Sequence, residues 1–198
     1  MVERRQTKRV MYVALYLGLA AAVTFYRLLP LGGYDAGTGF DLEVATDLAV
    51  GLRWKDIPAP DLLLCLTLAW VVRRPDLLPA PVIVLYFLIE DILLLRPPGL
   101  WALIVLLASE SLRARSERLR DNPFWMEYLQ VAGLMLVMFL ANRTVLAIVM
   151  APQTPLDLSL LQFLATVAAY PVVVALSHYA FGLRKPATGE LDALGQRL

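Results

Sequence analysis

Two adjacent carboxylates, Glu90 and Asp91, interrupt an apolar run over residues 85–104 that breaks at Arg96-Pro97-Pro98-Gly99. A charge near a bilayer centre costs roughly 2.5 to 3.5 kcal/mol on insertion scales, so such groups face a protein interior or cavity and carry a role. Paired carboxylates could divide general acid and base work, but neighbours on a helix point about 100° apart, so these two form no dyad by themselves. Glu127 and Arg143 are the other ionisable side chains placed at or near membrane depth. Arg143 follows Asn142 toward the same end of its run as the carboxylates, and this placement predicts an interior pair of Arg143 with Asp91 or Glu90. The alternative is that Arg143 snorkels outward and Glu90 lies at a wet interface. Tyr86, one turn before Glu90, is within its reach on the same face.

Nothing else in the chain completes a catalytic set. There is one histidine, His178, and one cysteine, Cys65, which excludes a disulfide framework and a zinc site built from several Cys or His ligands. Both lie in apolar runs and read as a helix-end imidazole and a small buried thiol. No Gly-rich phosphate loop, His-Glu-x-x-His or Gly-x-Ser-x-Gly occurs, and the neighbours Ser177-His178 do not by adjacency make a nucleophile and base. The expectation is a protein that is not an enzyme and has no cofactor, metal or catalytic residue. The cations are dispersed over short segments and form no basic face, so no nucleic acid partner is expected.

The elements that must position these residues are membrane helices. The chain has 198 residues, 59% of them hydrophobic, and a mean hydropathy of +0.64, well above the roughly 45 to 50% apolar content of soluble domains. The pattern predicts an all-α integral membrane protein with six transmembrane helices at about 10–29, 61–73, 77–95, 99–112, 124–150 and 157–183. These form a single domain, 1–185, followed by a polar tail, 186–198. The first run could pass for a signal peptide, but its length suits a spanning helix that is kept. Along it Ala14, Gly18 and Ala22 fall four residues apart on one face, a spacing that lets another helix backbone approach closely.

The outer loop, 31–60, is rich in Gly and Asp, and its segment 40–54 is either a surface helix with an acidic polar face or a solvated loop. Pro60-Asp61 marks a helix start. The arm 99–112 covers only about 20 Å against a hydrocarbon core of about 30 Å, so the hairpin 77–112, turning at Pro97, Pro98 and Gly99, either reaches a thinned region or re-enters. Pro171 is expected to kink the last helix or free a carbonyl. With the N-terminus inside, the inner segments hold 13 of the 18 Lys and Arg residues, which predicts that both ends are cytoplasmic.

Pro60-Asp61-Leu62-Leu63-Leu64, Ala69-Trp70-Val71-Val72-Arg73-Arg74-Pro75-Asp76, Asp91-Ile92-Leu93 and Pro97-x-Gly99-Leu100-Trp101-Ala102-Leu103 together resemble the signature of the rod shape-determining MreD family. The likeness extends to length, helix number and a last helix with a mid-span proline, and its specific part is 60–112. Two features depart from the pattern: Leu95 stands where the family often has glycine, and the acidic loop 34–56 is long. The resemblance implies a non-catalytic subunit of the bacterial inner membrane, in the cell-elongation (rod shape) complex that organises lateral peptidoglycan synthesis. Its implied partner is MreC, within an assembly containing MreB, RodA and a class B penicillin-binding protein. It also implies the six-helix fold of the substrate-binding subunits of energy-coupling-factor transporters, and with it an alternative function as a vitamin-type uptake subunit.

Overall fold

The computed structural model describes residues 2–29, 58–75, 77–116 and 123–181. Most of the outer loop, including 40–54, and the polar tail lie outside the described residues. Among those described, the chain forms six helices and no strand: α1 (Val2–Leu28), α2 (Leu62–Arg73), α3 (Ala80–Leu93), α4 (Leu100–Ala114), α5 (Phe124–Ile148) and α6 (Leu156–Phe181). Stretches of α1, α5 and α6 are long and apolar enough to cross a membrane: Val10–Leu28, Phe124–Ile148 and Leu156–Tyr179. The other three, of 12, 14 and 15 residues, reach only about 18 to 22 Å at 1.5 Å per residue.

The shortest helix is the centre. Every residue of α2 from Leu63 to Arg73 is buried, as its uninterrupted apolar sequence requires, since a helix apolar on all sides needs neighbours on all sides. It packs against α6, α4 and α1. Asp61 caps it, its side chain accepting from Leu64 N at 3.1 Å while its own N–H donates to Thr166 Oγ1 at 3.0 Å. The Cys65 thiol donates to Thr166 O at 3.3 Å, so Cys65 is the small buried group its surroundings suggested. Thr166 lies ten residues into α6, so α2 starts roughly 15 Å below the α5–α6 turn.

The hairpin turn is where the sequence places it, but α3 ends at Leu93, two residues short of the expected 95. Leu95 N donates to Ile92 O at 3.2 Å and Arg96 N to Asp91 O at 2.9 Å, the paired bonds of a Schellman cap. The cap puts Leu95 at φ 52°, a left-handed conformation for which glycine is the ordinary choice. Gly99 then takes φ 87° at the N-cap of α4. Met150 repeats the arrangement at the end of α5, with φ 52° and a bond from Ala151 N to Leu146 O at 3.0 Å.

α1 packs through Tyr16, Ala20 and Thr24, which are buried, and Arg27 continues the same face. Ala14, Gly18 and Ala22 are exposed, and nothing lies within 4 Å of a Cβ built on Gly18. The expected small-residue face is therefore turned away from the bundle, because two residues of offset rotate it about 200° from Tyr16, Ala20 and Thr24. α6 runs unbroken through Pro171, whose missing N–H leaves the carbonyl of residue 167 without its helical donor.

Candidate functional site

Glu90 faces α1. Its Oε1 accepts from Arg27 Nη1 at 2.7 Å, and the same nitrogen lies 3.5 Å from Asp61 Oδ1. The Glu90 side chain is fully buried, and Arg27 and Asp61 are nearly so. One guanidinium thus joins the end of α1 to the start of α2 and the last turn of α3. A neighbouring bond, Thr24 Oγ1 to Tyr86 OH at 2.8 Å, seats α1 on α3 one turn away. Tyr86 is engaged there rather than with Glu90. Lower on α1, Tyr16 OH meets Thr67 Oγ1 at 2.8 Å, and the Tyr16 ring tilts against Trp70 with centroids 5.7 Å apart.

Asp91 points elsewhere, as its 100° rotation from Glu90 demands. Its Oδ2 accepts from Gly99 N at 3.0 Å and from Ala102 N at 3.2 Å. These are N–H groups of the first turn of α4, which no intrahelical carbonyl can satisfy. Gly99 has no side chain to cap them, so Asp91 reaches back across the hairpin and places its charge at the positive end of the α4 dipole.

A second cluster lies at the other end of α2. Arg73 Nη2 is 3.4 Å from Glu127 Oε1, which also accepts from Tyr170 OH at 3.2 Å, and all three residues are buried. It ties α2 to the first turn of α5 and to the middle of α6.

Between the turns, a cavity of about 530 Å³ opens among α4, α5 and α6, directly over the start of α2. Asp61, Leu64 and Thr166 line its lower end, Phe139 and Phe163 its wall, and Arg96, Arg143, Gln153 and Thr154 its upper end. From Leu146 to Met135 it follows α5 for eleven residues, roughly 16 Å. It exists because α2 begins so far below the α5–α6 turn.

The expected pairing of Arg143 with Asp91 or Glu90 is not formed. Arg143 Nη1 donates to Thr154 O at 3.3 Å and to Ser159 Oγ at 3.0 Å, and its guanidinium stands over Phe139 at 5.9 Å. It braces the α5–α6 turn instead, because that turn offers acceptors close at hand while Arg27 already occupies Glu90. Pro97, Pro98 and Gly99 do form the hairpin turn. Arg27 and Arg73 escaped sequence reasoning as site residues because each reads as an interfacial cation at a helix end. The signal available for Arg27 was its position at 16, 20, 24, 27 on one helical face. No group of three or more potential metal ligands gathers among the described residues. His178 stacks edge-on against its neighbour Tyr179 with centroids 5.2 Å apart.

No protein-family model, curated protein or solved structure matches the chain.

Proposed function

We propose that this membrane protein is a non-catalytic scaffold subunit of the bacterial cell-elongation complex, of the MreD kind. In this reading it is a six-span protein of the inner membrane with both ends cytoplasmic and the helix arrangement of energy-coupling-factor substrate-binding subunits. It docks MreC and so helps organise lateral peptidoglycan synthesis by MreB, RodA and a class B penicillin-binding protein. One observation carries the reading: each buried carboxylate at membrane depth is committed to a joint between helices. Glu90 holds Arg27, Asp91 caps α4, and Glu127 holds Arg73, which is the behaviour of a framework. Leu95 lends further support, since the position where the MreD pattern often has glycine carries a positive φ.

The cavity over α2 favours a second reading, a small-molecule binding subunit of a transporter, because its volume falls in the range of ligand sites. Affinity purification of the tagged chain from native membranes separates the two. MreC should accompany the scaffold; recovery of a transporter ATPase module without MreC would replace it with the second reading.

A further inference from the structure

The cavity over α2 has a chemistry that none of the joints uses. Above Asp61 and Thr166 its wall is mainly apolar, with Leu64, Met135, Phe139 and Phe163, whereas its upper part carries two guanidiniums, Arg96 and Arg143. Among the described residues, neither arginine has a carboxylate within ion-pair distance. Each is held over an aromatic ring at 5.9 Å, Arg96 over Trp101 and Arg143 over Phe139. Arg143 is further oriented through Nη1 alone, while a guanidinium has five donors in a fork suited to a carboxylate or phosphate. Asp61 borders the cavity at its lower end, against Arg27 and its own helix start. Glu90 and Asp91, whose charges act on Arg96, are turned to Arg27 and to the first turn of α4, so among the described residues no carboxylate pairs with either guanidinium at the upper end.

We propose that this cavity binds an acidic amphiphile, its carboxylate or phosphate held by Arg96 and Arg143 and its apolar body lying against Leu64, Met135, Phe139 and Phe163. The volume of about 530 Å³ and the depth along α5 admit a chain or ring system beneath the head group. The shared chemistry is an anionic head on an apolar body, supplied either by a bilayer phospholipid or by a soluble amphiphile. The site stands apart from the choice of assembly: a chain that recovers MreC yet binds no acidic amphiphile keeps its scaffold function and loses this site.

Native mass spectrometry of the full chain in neutral detergent tests it, with phosphatidylglycerol, phosphatidylcholine, dodecyl phosphate and dodecanol as separate probes. At least one acidic probe should be retained about tenfold better than its zwitterionic or neutral counterpart, equivalent to about 1.4 kcal/mol. Arg96→Gln with Arg143→Gln should remove that preference. Retention of phosphatidylglycerol alone assigns the site to a bilayer lipid, and retention of dodecyl phosphate alone to a soluble amphiphile. Ala151→Trp, which narrows the upper end without removing a charge, should weaken retention of the same probe. Equal retention of acidic and uncharged probes overturns the proposal, as does unaltered retention by Ala151→Trp or by a folded double-arginine variant.

Discussion

Arg27 and Glu90 meet at 2.7 Å with the carboxylate fully buried, so each offsets part of the desolvation cost of the other; loss of Arg27 strands Glu90, whereas loss of Glu90 leaves Arg27 beside Asp61 at 3.5 Å. Arg27→Met should destabilise the protein by about 3 to 5 kcal/mol and Glu90→Leu by less, because Arg27 keeps Asp61, and the double variant should fall well short of their sum. Thermal melts in detergent give the comparison, and additive losses would mean that the pair is not an energetic unit. Arg143 belongs to a different neighbourhood, so Arg143→Ala and Asp91→Ala should add. At Leu95 the strain is in the backbone. A non-glycine residue in the left-handed region costs roughly 1 to 2 kcal/mol, and Leu95 is 93% exposed, so Leu95→Gly forfeits little packing. That substitution should raise the melting temperature, and a lowered one would show that the side chain matters more than its φ.

The helix hairpin shows how an element can be completed from outside itself. α4 starts at a glycine and borrows its N-cap acceptor from Asp91 eleven residues before Ala102, while the backbone carbonyl of the same Asp91 closes the Schellman bond to Arg96. Asp91→Ala should therefore cost about 0.5 to 2 kcal/mol, the usual range for a lost cap, and should speed amide exchange at Gly99 and Ala102 before it affects α5 or α6. Uniform acceleration throughout the molecule would place Asp91 in a wider role than capping. Asp91→Asn keeps an acceptor but gives up the charge at the helix dipole, so its loss should be smaller than that of Asp91→Ala. On the proposed scaffold reading, an Asp91→Asn variant that folds and still recovers its partner but fails to support elongation would give the carboxylate a working role beyond the joint.

For the whole molecule, a short buried helix serves as the axle and the longer helices enclose it. The two charged clusters sit at opposite ends of α2, roughly 18 Å apart along its length, and between them they engage α1, α3, α5 and α6. α1 rests on the bundle by one face only, and its Ala14, Gly18 and Ala22 stripe points outward. Gly18→Leu should consequently leave the isolated protein as stable as before or slightly more so, because a better helix former replaces glycine where nothing is packed against it. A marked fall in the melting temperature of the isolated chain would show that this face is packed after all.

The apolar runs, the Pro-Asp start of α2 and the Pro-Pro-Gly turn were legible in the sequence because each depends on residues a few positions apart. A 20-residue apolar run announces a membrane helix, and the consecutive Pro97-Pro98-Gly99 ends one, because two residues without a backbone N–H next to a glycine cannot continue the helical ladder. The three helices long and apolar enough to cross a membrane, the positions of the six helices among the described residues and the hairpin followed from such local signals. The partners of the charges did not. Arg27 and Glu90 are 63 residues apart, and which cation faces Glu90 depends on how far each helix is rotated and at what depth it starts. Arg143 and Arg27 both lie toward the same end of the molecule, so depth alone could not separate them. Only packing could, by turning Arg27 inward on the Tyr16 face and placing Arg143 beside the acceptors of its own turn. The cavity has the same origin, since it depends on where α2 begins relative to α6, a relation that no local stretch of sequence contains.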